Sequence, residues 1–350
     1  MDIETKVKLI KSEPTEEIIT EQELLHLLET KSRPRHYIGF EISGMPHIGH
    51  ILVAGKKIND LAEAGIETQV LLADWHTVAN NKLGGDWQRI LKVADFYRRL
   101  FNEFCPHAKV VLGSDLYRDN NDYWKLMIQM ARRTTIARAT RTLIIQGRSE
   151  KETLHVSQYI YPIMQALDIH ALGVDIPHAG MDQRKVHMLA KELFKDMGMG
   201  TIVPLHHHLL PSLAEPPKIE AGAEKEEIVA AMKMSKSKQG SAIPILASAD
   251  EVRAIIKASW CPEGIAEENP LLQLCRLVIL PNLQELRIER DRRHGGDVTY
   301  DSYLGLETDF RNRKLHPVDL KNGTAGALIS LMDPIIRKFG KERESLSRLL

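Results

Sequence analysis

The spacing of apolar residues along this chain changes period repeatedly, and each change predicts an element. Residues 1–30 set Ile18, Ile19, Leu24, Leu25 and Leu28 among charged positions in a pattern that predicts helix. Residues 36–41 (His-Tyr-Ile-Gly-Phe-Glu) read as a strand, ended by a turn carrying Ser43, Gly44, Met45 and Pro46. From 48 to 64, Ile51, Leu52, Ala54, Ile58, Leu61 and Ala62 recur at helical spacing, with Gly65 as the stop. A buried strand over 68–73, a helix over 87–103 and a strand over 108–112 follow. Next come an Arg- and Thr-rich helix over 123–142, a helix over 158–172, a strand over 174–176, a helix over 181–197 and a last strand over 202–205. Strands alternating with helices predict an α/β fold on a doubly wound parallel sheet. Residues 211–240, with Pro216, Pro217, Gly222 and Gly240, turn loop-rich and charged. Beyond Ser248 the chain is helical, with at most a short strand near Val298, so a domain boundary is expected near 245–250.

Composition narrows the picture. At 350 residues the chain accommodates one large domain and a smaller one. Lys+Arg and Asp+Glu both number 47, so any nucleic-acid contact must come from local basic patches. Cys105, Cys261 and Cys275 are isolated and odd in number, which argues against a disulfide framework and for a reducing cytoplasm. The N-terminus mixes charges without an apolar core, and no apolar run approaches the roughly 18–20 residues that span a bilayer. A soluble cytoplasmic protein is expected, without a membrane partner.

Two short motifs carry chemistry. Lys233-Met234-Ser235-Lys236-Ser237 is a compact cationic run with two hydroxyls, followed by Lys238-Gln239-Gly240. Such a loop can close over a polyphosphate, although Lys/Ser runs are also common on solvated surfaces. Far upstream, His47-Ile48-Gly49-His50 stands between a predicted strand and a predicted helix. A strand-to-helix turn offers unpaired backbone N–H groups and the positive end of a helix dipole, and imidazole N–H groups there can meet phosphates. Gly49 permits close backbone approach. Activation of a carboxylate by ATP needs mainly positioning and electrostatic stabilisation, which this pair supplies.

Together the two motifs resemble the HIGH and KMSKS signatures of class I aminoacyl-tRNA synthetases. The resemblance extends over essentially the whole chain and is to the archaeal and eukaryotic type of tyrosyl enzyme. It is carried by Tyr37-Ile38-Gly39-Phe40-Glu41, Leu72-Ala73-Asp74-Trp75-His76, Tyr161-Pro162-Ile163-Met164-Gln165, Asp168-Ile169-His170, Gly180-Met181-Asp182-Gln183-Arg184-Lys185 and Leu315-His316-Pro317-Val318-Asp319-Leu320-Lys321-Asn322. It implies a Rossmann-like catalytic domain over 1–215 with an inserted helical dimerisation region near 115–155, a KMSKS linker over 216–248 and a helical anticodon-binding domain over 249–350.

The same resemblance assigns residues. His47, His50, Lys233 and Lys236 would serve catalysis, and His47, Gly49, His50, Asp182, Lys233, Ser235, Lys236 and Ser237 would hold ATP, with Asp182 on the ribose. Tyr37 and Asp168 would meet the substrate's phenolic OH, while Tyr161, Gln165 and Gln183 surround its ammonium end. Tyr161, Gln165 and Asp168 are spaced i, i+4 and i+7, which places them along one helix face. Glu41 and His76 would stand behind this group. Arg141, Arg184 and Lys185 would read the first acceptor base pair of tRNA(Tyr), Asp319 the first anticodon base, and His294 occupies the position of an aromatic that stacks on that base. Mg2+ is expected to arrive with the substrate ATP, and the family forms homodimers.

His206-His207-His208 suggests a zinc site, but adjacent residues of an extended segment alternate sides and no cysteine or carboxylate cluster accompanies them, so no metal site is expected. Two other function classes fit the same fold. One is an RNA-binding paralogue without catalysis, which would bind tRNA but not exchange pyrophosphate. The other is a nucleotidyltransferase with no RNA substrate, against which the segment from His316 to Asp319 speaks.

Overall fold

The parallel sheet is present, with one strand more than the apolar pattern suggests. A computed structural model describes residues 1–147, 153–216, 234 and 242–350. Strands β1 (Thr15–Ile18), β2 (Arg35–Glu41), β3 (Glu67–Ala73), β4 (Lys109–Leu112), β5 (Ile176–Gly180) and β6 (Leu205–His207) lie in the order β1-β6-β5-β2-β3-β4. All pairings are parallel except that of β1 with β6. Chain order runs outward from β2 to β4 on one side, and the sheet continues through β5 and β6 on the other. The β2–β5 junction is thus the topological switch point, where ligands of such sheets bind at the carboxyl ends of the strands.

Helices α1 (Ile3–Lys11), α2 (Glu21–Thr30), α3 (Lys56–Glu63), α4 (Asp74–Ala79), α5 (Trp87–Phe104), α6 (Gly113–Tyr117), α7 (Asn121–Arg133), α8 (Ile136–Thr140), α9 (Val156–Ala171) and α10 (Arg184–Met197) accompany these strands. One core joins Ile10, Leu24 and Leu61 to Ile176 and Leu205. Another joins Tyr37 and Leu71 to Met127, Leu167 and Leu193. Residues 1–30 are therefore not helical throughout. Thr20 starts α2 with a reciprocal cap, its hydroxyl accepting from the Glu23 N–H at 3.2 Å while Glu23 accepts from the Thr20 N–H at 3.0 Å. The expected 123–142 helix divides because Thr135 caps a new one, accepting from the Arg138 N–H at 3.2 Å. The strand expected at 174–176 falls at Ile176–Gly180, and that at 202–205 falls at Leu205–His207.

The chain divides into two units: Met1–Gly44 with Ala54–His208, and Met45–Val53 with described residues of 209–350. The second unit thus begins well before the boundary expected near 245–250 and takes in the turn at 45–53. The reason is backbone pairing. Ile48 N–H donates to Ile243 O at 3.0 Å, Ile245 N–H donates to Pro46 O at 2.9 Å, and His47 bridges to Pro244. This unit also holds a hairpin, Leu286–Ile288 with Val298–Tyr300, of which the apolar pattern predicts only the second strand, and the 23-residue helix Pro317–Phe339. No helix among the described residues is long and apolar enough to cross a membrane.

Lys57 ties the N-terminal segment to α3. Its ammonium is fully buried and donates to Leu9 O, Ile10 O, Ser12 O and Ser12 Oγ at 2.8–3.2 Å, closing the carboxyl end of α1. Burial brings its pKa down to about 8, against the opposing pull of Asp60. Lys57→Met keeps the stem and removes these donors, so it should cost about 2 kcal/mol or more. Thermal melting and amide exchange over α1 and β1 measure that loss.

Candidate active site

The β2–β5 junction brings the first set of predicted residues together. Tyr37 stands on β2, Tyr161, Gln165 and Asp168 on α9, and Asp182 and Gln183 in the short turn Met181–Gln183 that follows β5. The i, i+4, i+7 face of α9 is turned inward, with Tyr161 and Asp168 both buried. Helix α9 carries Pro162, which cannot donate to the carbonyl of Gln158 four residues earlier. The Gln146 side-chain amide replaces that donor, at 2.7 Å. The short turn Leu143–Gln146 also anchors Gln183, whose amide donates to Ile145 O at 2.9 Å, and Gln165 in turn donates to Gln183 Oε1 at 3.3 Å.

Asp168 is fully buried. It accepts from Tyr123 Oη at 2.8 Å and Tyr117 Oη at 3.1 Å, and His76 Nε2 lies 3.5 Å away without hydrogen-bond geometry. Burial lifts its pKa from 3.8 to about 7, the two tyrosine hydroxyls opposing and Asp74 reinforcing the rise. The neighbouring phenol of Tyr37 is pushed up by burial and by the Asp168 charge. Burial lowers His76 to about 4, so it is neutral, and its ring meets Tyr161 edge-on at 4.7 Å. Gln165 Oε1 is a buried acceptor with no partner among the described residues. A buried carboxyl beside two phenols and, three residues earlier on the same helix face, an amide oxygen unsatisfied among the described residues suit a small ligand carrying polar groups at both ends.

Tyr117 and Tyr123 join the site without any signal in the sequence. They belong to the stretch assigned to dimerisation, and no local pattern points them at Asp168. Their placement depends on Asp74, whose Oδ1 accepts from the Trp75 N–H at 2.7 Å and the Ser114 N–H at 2.9 Å, pinning α6 to α4. Gly113 is needed at that junction, because a Cβ there would lie 2.8 Å from Asp74 Oδ1.

Asp182 follows a buried line of three imidazoles on one sheet face. His36 Nε2 is 3.0 Å from His178 Nδ1, and His178 Nε2 is 2.8 Å from His207 Nδ1. All three have lowered pKa values through burial, so they are neutral. His36 Nδ1 is buried with no partner among the described residues, while the charge of Asp182 bears on His207 at the other end. A bare lone pair is the less costly group to bury unpaired, and an N–H is the better group toward a carboxylate. Each ring therefore carries its proton on Nε2. His206, one residue along, faces the other way toward His187 and Glu17, as strand alternation requires. Among the described residues, no group of three or more His, Cys, Asp or Glu could hold a metal ion.

The histidine motif lies in the second unit. Gly49 N–H donates to His47 Nδ1 at 3.1 Å, so that nitrogen is an acceptor, while His50 Nδ1 lies 3.3 Å from the His47 backbone nitrogen and 3.2 Å from the His47 carbonyl oxygen. A Cβ at Gly49 would meet the His47 ring at 2.7 Å, so the motif requires glycine. The expected 48–64 helix opens as a π-helix, Gly49–Gly55, before α3. Lys233, Ser235, Lys236 and Ser237 lie outside the described residues. Asp319 sits in the first turn of Pro317–Phe339, whose cap is His316, its Nδ1 accepting from the Val318 N–H at 3.2 Å. His294 ends the turn Arg292–His294. In the first unit, Arg141 is exposed after α8, and Arg184 and Lys185 open α10, half-buried.

A family model described as tRNA synthetases class I (W and Y) matches residues 29–333. A tyrosine–tRNA ligase of Thermococcus kodakarensis is 42% identical, over 99% of this chain and 97% of its own. The crystal structure of tyrosyl-tRNA synthetase complexed with L-tyrosine from Pyrococcus horikoshii has a TM-score of 0.92 at 41% identity, covering 100% of this chain and 99% of that one. The tyrosine complex of the Archaeoglobus fulgidus enzyme has a TM-score of 0.84 at 41% identity, covering 95% and 98%. Fold, switch-point site and family model together make this chain a class I tRNA synthetase. Within that class it belongs to the tyrosyl-tRNA synthetase family.

The Asp168 pKa has a sign. A carboxyl raised to about 7 favours the protonated fold, so its stabilising share is complete below the unfolded value of 3.8 and is lost as pH rises through about 7. Asp168→Asn should flatten the fall in stability across that window in urea unfolding at stepped pH. Separately, long-range 1H–15N spectra of the histidine rings should show His36, His178 and His207 as Nε2–H tautomers.

Proposed function

We propose that this chain activates L-tyrosine with ATP and then charges tRNA(Tyr). A carboxylate oxygen of tyrosine attacks the α-phosphorus and the bond to the β-phosphate breaks, giving tyrosyl-adenylate and pyrophosphate. A ribose hydroxyl at the 3′ end of tRNA then attacks the tyrosyl carbonyl and AMP leaves. The observation that carries the substrate choice is Asp168, fully buried near Tyr37 and already bonded to two phenols. A substrate hydroxyl reaching Asp168 and Tyr37 restores polar contact there, whereas a phenyl ring leaves buried groups unpaired. Tyrosyl enzymes are themselves the established example of that discrimination, so its size belongs to the family and is no prediction of this geometry.

The remaining roles belong to the same reading. Gln165 Oε1, buried and unpartnered, accepts from the substrate ammonium, with Tyr161 and Gln183 beside it. Asp182 accepts from the ribose. His47 and His50 donate ring N–H groups to the phosphates, Gly49 allowing their approach, and Lys233, Ser235, Lys236 and Ser237 close over the pyrophosphate. Mg2+ comes as part of the ATP substrate, held by phosphate oxygens and water. Arg141, Arg184 and Lys185 meet the acceptor end of tRNA, and Asp319 and His294 the anticodon. Residues 1–215 form the catalytic domain and 249–350 the anticodon-binding domain. The enzyme works in the cytoplasm as a homodimer. Exposed Trp124, Ile128, Ile136, Val156 and Ile160, on α7, α8 and α9, support a second copy covering that face.

ATP–pyrophosphate exchange tests the function. It should depend on tyrosine, with tryptophan and phenylalanine giving less than about 1% of the rate, a bound that the family's known discrimination easily meets. Asp168→Asn should raise the KM for tyrosine at least tenfold, about 1.4 kcal/mol. Exchange driven by tryptophan instead would overturn the assignment, and tRNA binding with no exchange would point to a non-catalytic paralogue.

A further inference from the structure

Arg184 is gripped from behind. Its Nε donates to both carboxylate oxygens of Glu17 on β1, at 2.9 and 3.2 Å. Glu17 Oε2 also accepts from His206 Nδ1 at 3.0 Å, and His206 Nε2 lies 3.0 Å from His187 Nδ1. His206 and His187 are fully buried, and burial holds His187 neutral. The proton positions follow: His206 donates from Nδ1 to Glu17, so its Nε2 accepts from His187 Nδ1–H. That leaves His187 Nε2 as a bare lone pair, and this atom is indeed buried without a partner among the described residues. The line thus runs from a half-exposed guanidinium through a carboxylate to two fixed rings in the core.

The Glu17 carboxyl is held down at about 2, by His206 first and by Arg184, against the cost of burial. A partly exposed ion pair of this kind contributes little to stability, with side chains 33% and 30% accessible. A carboxylate beside an RNA-facing arginine also weakens its attraction for phosphate. What the pair supplies is direction: a guanidinium held at Nε has its plane, and so the aim of both Nη groups, fixed. Phosphate affinity tolerates a swinging cation, but reading a base edge does not.

We infer that Glu17 is a positioning residue for acceptor-stem recognition: anchored by His206 and His187, it orients Arg184 toward the first base pair of tRNA. The inference rests on the reading of Arg184 as an acceptor-end contact. Nothing in the apolar pattern marks Glu17, since β1 forms only through its pairing with β6.

The test compares unmodified tRNA(Tyr) transcripts carrying the native or the inverted first acceptor base pair, charged by wild type, Glu17→Gln, Glu17→Asp, Arg184→Ala and the double variant Glu17→Gln/Arg184→Ala. Glu17→Gln should lower kcat/KM for the native transcript about tenfold, the scale of one charge-assisted contact, and shrink the preference over the inverted one. The loss should lie in the tRNA step rather than in pyrophosphate exchange. Glu17→Asp should recover part of the preference, and Glu17→Gln should have no further effect in the Arg184→Ala background. If Arg184→Ala abolishes the preference while Glu17→Gln keeps it, the positioning role falls and the reading of Arg184 stands. If Arg184→Ala keeps the preference, both fall. A parallel loss of exchange or of the melting transition in Glu17→Gln would make Glu17 a folding residue and overturn the inference.

Discussion

A single carboxylate in a dry place organises the first unit. Asp168 is buried where no cation among the described residues offsets it, so it persists only because Tyr117 and Tyr123 donate to it. Those two phenols must then be delivered from α6 and α7, which requires Asp74 to clamp the start of α6 and Gly113 to make room for it. On the other side, α9 must present Asp168 while containing a proline, and Gln146 fills the hydrogen bond that Pro162 cannot make. The buried carboxylate and the local structure of three helices are thus one problem with one solution.

Much of this is legible in the sequence, and the omissions have physical causes. Strands β2 and β3 and helix α5 are long and periodic, so their own residues announce them. Strand β1 is four residues with two adjacent glutamates, and it exists because β6 offers an edge some 190 residues later in the chain, as the Glu17–His206 pairing shows. The inward face of α9 follows from the spacing of Tyr161, Gln165 and Asp168. The phenols that complete it do not, because the approach of α7 to α9 is a tertiary fact with no local signature. Alternation correctly separates His206 from His207, yet only the fold gives each ring its partners.

The division of the chain also departs from linear order. The histidine turn at 45–53 leaves the strand that leads into it and pairs with the backbone at 243–245. Helical propensity alone would carry the chain straight on from 48 to 64. Instead it passes through a wider π-turn before α3, the kind of local irregularity that accompanies functional sites. The motif is built for the segment it meets rather than for the helix it begins.

The line of His36, His178 and His207 bears on Asp182 in a way that a lysine could not. Three neutral rings sharing one proton direction add their dipoles head to tail, with the positive end toward the carboxylate. The strand face thereby presents a graded positive potential without enclosing any net charge. Because His36 and His207 stay neutral down to about 3 and 4, that potential is constant across the physiological pH range. The electrostatic floor beneath Asp182 is therefore set by proton placement on neutral rings rather than by a titrating cation.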